Sequence, residues 1–158
     1  MEMIRGNLLD ACERVIAHGC NTRGVMGAGI AGQIAKRWPL VRETNKDSLC
    51  LSQHGFRAGA CQPVWLPPYM RQGTTPECVV NLATQIDPGP CARLHFVRLA
   101  FANMAEWCAI EGVHRVAIPQ IGCGIGGLQW ADVEPTIEEA ISDVIDRGHL
   151  LQVVCYVL

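Results

Sequence analysis

Apolar and polar positions along the chain recur with two periods, and each predicts its own kind of element. Met3-Ile4-Arg5 reads as a first short strand. The β-branched run at residues 13–17 predicts a second strand, and helical spacing follows over residues 30–36. Trp38-Pro39 ends that helix, because the residue before a proline is pushed out of the helical region. Residues 41–51 set Val41, Leu49 and Leu51 among polar positions as a second helix, and 54–59 form a turn. Strands are predicted at 61–66, stopped by Pro67-Pro68, and at 78–84, with a hairpin-like loop at 72–76 between them. Asp87-Pro88-Gly89-Pro90 breaks the chain. A long helix over 92–110 aligns Leu94, Val97, Phe101, Met104 and Cys108 on one stripe, and Gly112 closes it. A buried strand at 116–118 leads to the last helix, 131–146, which turns Val133, Ile137, Ala140, Ile141, Val144 and Ile145 inward and holds Pro135 in or near its first turn. Residues 152–158 form a final strand.

Strands alternate with helices, and those near residues 15, 80 and 117 are largely apolar, as a sheet covered on both faces requires. The expected fold class is α/β: a three-layer α/β/α sandwich around a mixed, mostly parallel central sheet. The 158 residues suffice for one domain, taken as 1–158. A net charge of −2 supplies no field for a polyanion, which argues against a reader of duplex grooves and leaves a nucleotide ligand open. There is no apolar run of membrane-span length and no secretory leader pattern, so a cytoplasmic monomer is expected. Nine cysteines without a CxxC pair read as reduced thiols, and no metal site is expected.

Candidate chemistry lies in two glycine-rich junctions. The first runs from His18-Gly19-Cys20-Asn21 through Gly24 to Gly27-Ala28-Gly29-Ile30-Ala31. It exposes backbone to a ligand and ends at a helix N-terminus, where unpaired N–H groups and the helix dipole favour an anion such as a diphosphate. The run Gly27–Gly32 also matches GxGxxG, but an eight-residue loop separates it from its strand, and no acidic residue closes a following strand. The second junction is Gly122-Cys123-Gly124-Ile125-Gly126-Gly127, again between a buried strand and a helix. Ligands of open α/β sheets bind beyond the carboxyl ends of strands, so the two junctions are expected to face each other across one crevice.

His18-Gly19-Cys20-Asn21, Gly27-Ala28-Gly29-Ile30-Ala31 and Pro119-Gln120-Ile121-Gly122-Cys123-Gly124-Ile125-Gly126-Gly127-Leu128 together resemble the macro domain. With Leu128-Gln129-Trp130 they are most similar to its branch of terminal ADP-ribose protein glycohydrolases and DNA ADP-ribose glycohydrolase antitoxins. The resemblance implies an ADP-ribose pocket that needs no cofactor. Gly27, Ala28, Gly29 and Ile30 would line the distal ribose and diphosphate, and Gly122, Cys123, Gly124, Ile125, Gly126, Gly127 and Leu128 would clasp the phosphates from the other side. Thr84 and Gln85 would belong to the same ligand site, and Asn21 would bond the hydroxyls of the distal ribose; a loop-capping asparagine is the other reading of Asn21. Asn7 and Leu8 would meet the adenine, with Asn7 replacing the aspartate usual in the family.

The hydrolases of that branch use a lysine and an aspartate whose matching positions here are Gln85 and Gly126, and neither residue can play the part. The remaining catalytic candidates are His18, Asn21 and Asp87. His18 resembles a histidine of ADP-ribose-1″-phosphate phosphatases in the superfamily, and a strand-end histidine bonded to backbone is the other reading. Asp87 is a ribose-reaching acid or a turn-starting residue. Cys20 and Cys123 are expected to pack, Trp130 to brace the last helix, Arg23 to be exposed or to touch the diphosphate, and His54, His95, His114 and His149 to be solvated. The expected function is hydrolysis of a group on the distal ribose, either a 1″-phosphate or an ADP-ribosyl ester. The alternatives are a non-catalytic reader of ADP-ribose and, third, a nicotinamide-dependent oxidoreductase.

Overall fold

The structure, a computed structural model, describes residues 1–50, 55–71 and 76–158. Six strands form one sheet: β1 (Glu2–Arg5), β2 (Val15–Asn21), β3 (Cys61–Trp65), β4 (Cys78–Gln85), β5 (Arg115–Ile118) and β6 (Gln152–Val157), in the spatial order β1-β6-β5-β2-β4-β3. All pairings are parallel except β3 with β4. Four helices complete the chain: α1 (Gly29–Arg37), α2 (Pro39–Cys50), α3 (Leu94–Glu111) and α4 (Trp130–Asp146).

The period-2 alternation of the central strands sorts their side chains into two cores. Val15 and Ala17 of β2, Val80 and Leu82 of β4, Val116 and Ile118 of β5 and Val153 of β6 pack with the apolar faces of α3 and α4. Ile16, Val79, Ala117 and Val154 face the other way, with Ile34 of α1 and Val41 of α2. The three-layer α/β/α sandwich with a mixed, mostly parallel sheet is therefore observed.

Several boundaries differ from expectation. The second strand starts at Val15, two residues late, and continues to Asn21, so His18-Gly19-Cys20-Asn21 is paired strand rather than loop. Tertiary pairing decides this: β4 offers a full partner edge from Cys78 to Gln85. Pro135 lies in the second turn of α4, not its first. Ile145 is 42% exposed rather than inward, while Val133, Ile137, Ala140, Ile141 and Val144 are buried as expected. Trp38 does end α1, and α2 begins on the proline that follows, a favoured first helical position. Gly112 caps α3 at φ +66, a left-handed conformation suited to glycine. The expected loop at 72–76 falls, apart from Pro76, outside the described residues, as do Leu51 and His54. His114 and His149 are not simply solvated: His114 Nδ1 donates to the Leu150 carbonyl at 2.9 Å, and His149 Nε2 to the Val113 carbonyl at 2.9 Å.

Candidate functional site

β2 lies between β5 and β4, so the loops leaving all three carboxyl ends meet at one end of the sheet. They enclose a cleft of about 540 Å³, within the size range of small-molecule sites. One wall is Gly27, Ala28, Gly29, Ile30 and Ala31; the opposite wall is Gly122, Cys123, Gly124, Ile125 and Gly126; Gly19, Asn21, Thr84 and Gln85 form the floor and one end. The two glycine junctions thus share a single crevice.

Both walls present backbone N–H groups that the protein does not use. α1 starts without a side-chain cap, and the first helical bond donates from Gly32 N–H to the Ala28 carbonyl. The N–H groups of Gly29, Ile30 and Ala31 therefore face the cleft without intrahelical acceptors. On the other wall Gly127 N–H donates to Gly124 and Leu128 N–H to Gly122, which leaves Gly124, Ile125 and Gly126 N–H without protein acceptors among the described residues. Donors on two sides, with a helix dipole behind one of them, favour an anion between them.

The glycines of the second wall answer to steric need. A Cβ on Gly126 would stand 2.6 Å from the Gly122 carbonyl oxygen and 2.9 Å from Ala92 Cβ, so this backbone cannot carry an aspartate there. Gly122 adopts φ +77, and the Leu128 side chain fills the space its Cβ would need, 2.9 Å away. Leu128 thus supports the loop from beneath, and neither it nor Gly127 lines the cleft. Ile125 reaches across, its Cδ1 3.3 Å from where a Gly29 Cβ would stand.

Asn21 organises the first loop. Its Oδ1 accepts from Arg23 N–H at 2.9 Å and Val25 N–H at 3.2 Å, and its Nδ2 donates to the Val25 carbonyl at 2.7 Å. Both acceptor lone pairs are engaged, and one N–H remains for a ligand hydroxyl. Gln85 is held in the complementary sense. Its Nε2 donates to the carbonyls of Asp87 (2.7 Å) and Gly89 (3.1 Å), which leaves the Oε1 acceptor free at the cleft's edge.

The structure does not bring His18 or Asp87 into the cleft. His18 alternates to the opposite face of β2 and is wholly buried. Asn81 Nδ2 donates to the Val41 carbonyl and to Gln62 Oε1, so its Oδ1 must accept, and the His18 proton sits on Nε2, 2.7 Å away. Burial holds the imidazole neutral, its pKa lowered to about 4. As a correction, His18 cannot reach a water in the cleft, because the pleat directs it beneath α2. Asp87 is exposed and pairs through Oδ1 with Arg23 Nε at 2.7 Å on the lip. Asn7 caps a 3₁₀ turn at Leu8–Asp10, accepting from Leu9 N–H at 3.1 Å, and Leu8 is buried; neither lines the cleft. Gly19, Cys20, Val25, Ala31, Pro88, Gly89, Pro119, Gln120 and Ile121 also line the cleft without having been expected to touch a ligand. Most lie within the two junction motifs, whereas Pro88 and Gly89 read in sequence only as a chain break.

Among the described residues, no Asp, Glu, Lys, Arg or His lines the cleft. Its two thiols are held protonated by burial: Cys20 is pushed well up and donates to the Leu82 carbonyl, and Cys123 is also raised and donates to the Ile121 carbonyl. Cys12, Cys20, Cys61, Cys78, Cys91, Cys108, Cys123 and Cys155 are free thiols.

The family described as Macro domain matches residues 17–137, which span β2, both glycine loops and the first half of α4. The chain belongs to the macro domain family. Among known macro domain proteins it is similar to the DNA ADP-ribosyl glycohydrolase of Thermus aquaticus, 28% identical over 89% of this chain and 38% of that one. The chain thus spans well under half of that relative's length. It is also 25% identical to the ADP-ribose 1″-phosphate phosphatase of Candida albicans, over 88% of this chain and 92% of that one. Among solved structures, the macrodomain of Thermus aquaticus DarG superposes with a TM-score of 0.80 at 25% identity, covering 99% of this chain and 97% of that one. No helix among the described residues is long and apolar enough to cross a membrane.

Proposed function

We propose that the cleft binds ADP-ribose and that the protein hydrolyses a group carried on the distal ribose, a 1″-phosphate or an ester-linked adduct. The observation that carries this reading is the pair of opposed walls. The N–H groups of Gly29, Ile30 and Ala31 on one side and of Gly124, Ile125 and Gly126 on the other have no acceptor among the described residues, and no charged side chain among those residues lines the cleft between them. A diphosphate satisfies those donors, and its two nucleoside arms take up the apolar and carboxamide-lined remainder. The activities named for the relatives from Thermus aquaticus and Candida albicans both act on ADP-ribosyl compounds, which supports the same ligand class.

With neither lysine nor aspartate at positions 85 and 126, hydrolysis here proceeds without a covalent sugar adduct. Water attacks the phosphorus of a 1″-phosphate or the carbonyl carbon of an ester directly. The bond from that atom to the ribose oxygen breaks, and the ribose hydroxyl is regenerated with a proton given up by the attacking water. Carboxamides order that water rather than a strong base activating it. Gln85 Oε1 is the free acceptor suited to holding that water, and Asn21 keeps one N–H for a ribose hydroxyl. Asp87, with one carboxylate oxygen beyond its bond to Arg23, stands nearby on the lip. We read the protein as a cytoplasmic monomer, in keeping with its unpaired thiols.

The test is calorimetric titration with ADP-ribose, followed by incubation with ADP-ribose-1″-phosphate and with ADP-ribosylated protein and DNA. Binding with release of phosphate or free ADP-ribose is the expected result. One observation favours a second reading, a non-catalytic reader: among the described residues no carboxylate, imidazole or amine lines the cleft. Tight binding without turnover of any of these substrates decides for it.

A further inference from the structure

The cleft is uncharged, yet its lip carries one fixed ion pair beside the Asn21–Gln85 end. Arg23 lies between the lining residues Asn21 and Val25, and Asp87 between the lining residues Gln85 and Pro88, but neither lines the cleft itself. Both backbones are pinned. The turn holding Arg23 is wound round Asn21 and passes through Gly24 at φ +70. It is stitched to the end of β4: Thr22 N–H donates to the carbonyls of Gln85 (3.2 Å) and Ile86 (3.1 Å), and Thr22 Oγ1 donates to Ile86 at 3.2 Å. The turn holding Asp87 is clamped by the two Gln85 donations. Between these fixed points Arg23 Nε donates to Asp87 Oδ1.

Isolated surface ion pairs contribute little to stability, and this one, with both side chains more than half exposed, is no exception. Its consequence is geometric. Anchored through Nε, the guanidinium keeps both Nη groups as a planar fork with no bond to Asp87, the arrangement that receives a phosphate on two oxygens. Asp87 fixes the direction of the fork without occupying it. Because no charged side chain among the described residues lines the cleft, the lip supplies the side-chain charge that can tell a neutral appendage from an anionic one.

We infer that Arg23, oriented by Asp87, is a specificity residue that selects ligands bearing a phosphate group where they leave the cleft at the Asn21–Gln85 end. This rests on the ADP-ribose reading above and sharpens it, since it assigns the substrate class as phosphate-bearing ADP-ribosyl compounds rather than carboxylic esters. The phosphate has two possible sources, a terminal 1″-phosphate or the backbone of an ADP-ribosylated oligonucleotide, and both present the same oxygens to the fork.

The experiment compares dissociation constants of wild type, Arg23→Ala and Arg23→Lys for ADP-ribose, ADP-ribose-1″-phosphate and an ADP-ribosylated oligonucleotide at low and high salt. Wild type is expected to prefer at least one phosphate-bearing ligand over ADP-ribose. Arg23→Ala should cut that preference about tenfold, and Arg23→Lys should restore part of it, since a charged group recovers attraction without the fork. Salt should erode the preference in wild type and not in Arg23→Ala. If only the terminal phosphate responds, the small molecule is the source; if only the oligonucleotide responds, it is the nucleic acid backbone. A wild type that binds ADP-ribose with no preference, or a preference that survives in Arg23→Ala, overturns the inference and leaves the ADP-ribose reading standing. A wild type that takes up none of the three overturns both.

Discussion

His18 and Asn81 face each other across adjacent strands, Nε2 donating to Oδ1 at 2.7 Å with both side chains wholly buried. Asn81 in turn ties α2 to the sheet through the Val41 carbonyl. The histidine beside the ligand loop is thus part of the packing under α2.

That placement gives stability a pH dependence. The folded pKa of His18, about 4, lies below the ordinary value of 6.5, so the unfolded chain binds the extra proton first as pH falls. Stability is complete above 6.5 and declines between 6.5 and about 4, by on the order of 3 kcal/mol in all. Urea unfolding of wild type and His18→Gln on either side of that window should show a steeper decline in wild type. Parallel curves would remove His18 as the cause. His18→Gln should also retain ADP-ribose binding, since the ring does not line the cleft.

Asn21→Ala removes three hydrogen bonds that shape residues 21–25. At about 0.5–1.5 kcal/mol per bond, the turn loosens without global unfolding. ADP-ribose affinity should drop by roughly tenfold or more, through lost preorganisation as well as the lost ribose contact. Calorimetry together with a thermal melt checks this; unaltered affinity would show that the turn does not shape the cleft.

Gly126→Asp should not create a working acid. Its Cβ would meet the Gly122 carbonyl oxygen at 2.6 Å and Ala92 Cβ at 2.9 Å, so the loop must deform, at a cost of about 1–3 kcal/mol. A lower melting temperature and weaker ADP-ribose binding are expected. Gly124→Ala serves as the control for the melting temperature alone, because no protein atom lies within 4 Å of its Cβ position while the residue itself lines the cleft. Equal melting temperatures of the two variants would contradict the steric account.

Ile125 is 55% exposed where the two walls approach, and its Cδ1 sits 3.3 Å from the Gly29 Cβ position. Ile125→Ala opens the lip there, so ADP-ribose should leave several-fold faster with little change in its rate of entry. Stopped-flow displacement measures both rates.

The largely apolar runs near positions 15, 80 and 117 were enough to predict strands buried on both faces, and the stripes on residues 94–108 and 133–145 to predict the helices that cover them. Glycine clusters after two such strands marked the junctions, because backbone left bare of Cβ atoms is legible from residue type alone. Twelve of the expected ligand-site residues line the cleft: Asn21, Gly27, Ala28, Gly29, Ile30, Thr84, Gln85, Gly122, Cys123, Gly124, Ile125 and Gly126. Asn7, Leu8, Gly127 and Leu128 do not, since a residue next to a site in the chain can point into the core or support a turn instead.

What the chain determined by itself was local: the periodicities, the proline and glycine stops, and two loops with donors to offer. The partners of each polar side chain were decided only in three dimensions. His18 is one residue from Gly19 in sequence, yet the pleat turns it to the opposite face of the sheet. Asp87 meets Arg23, 64 positions away, because β2 and β4 end side by side. Neither outcome follows from residue type, since a side chain's direction depends on strand register and its charge on the groups the fold packs around it.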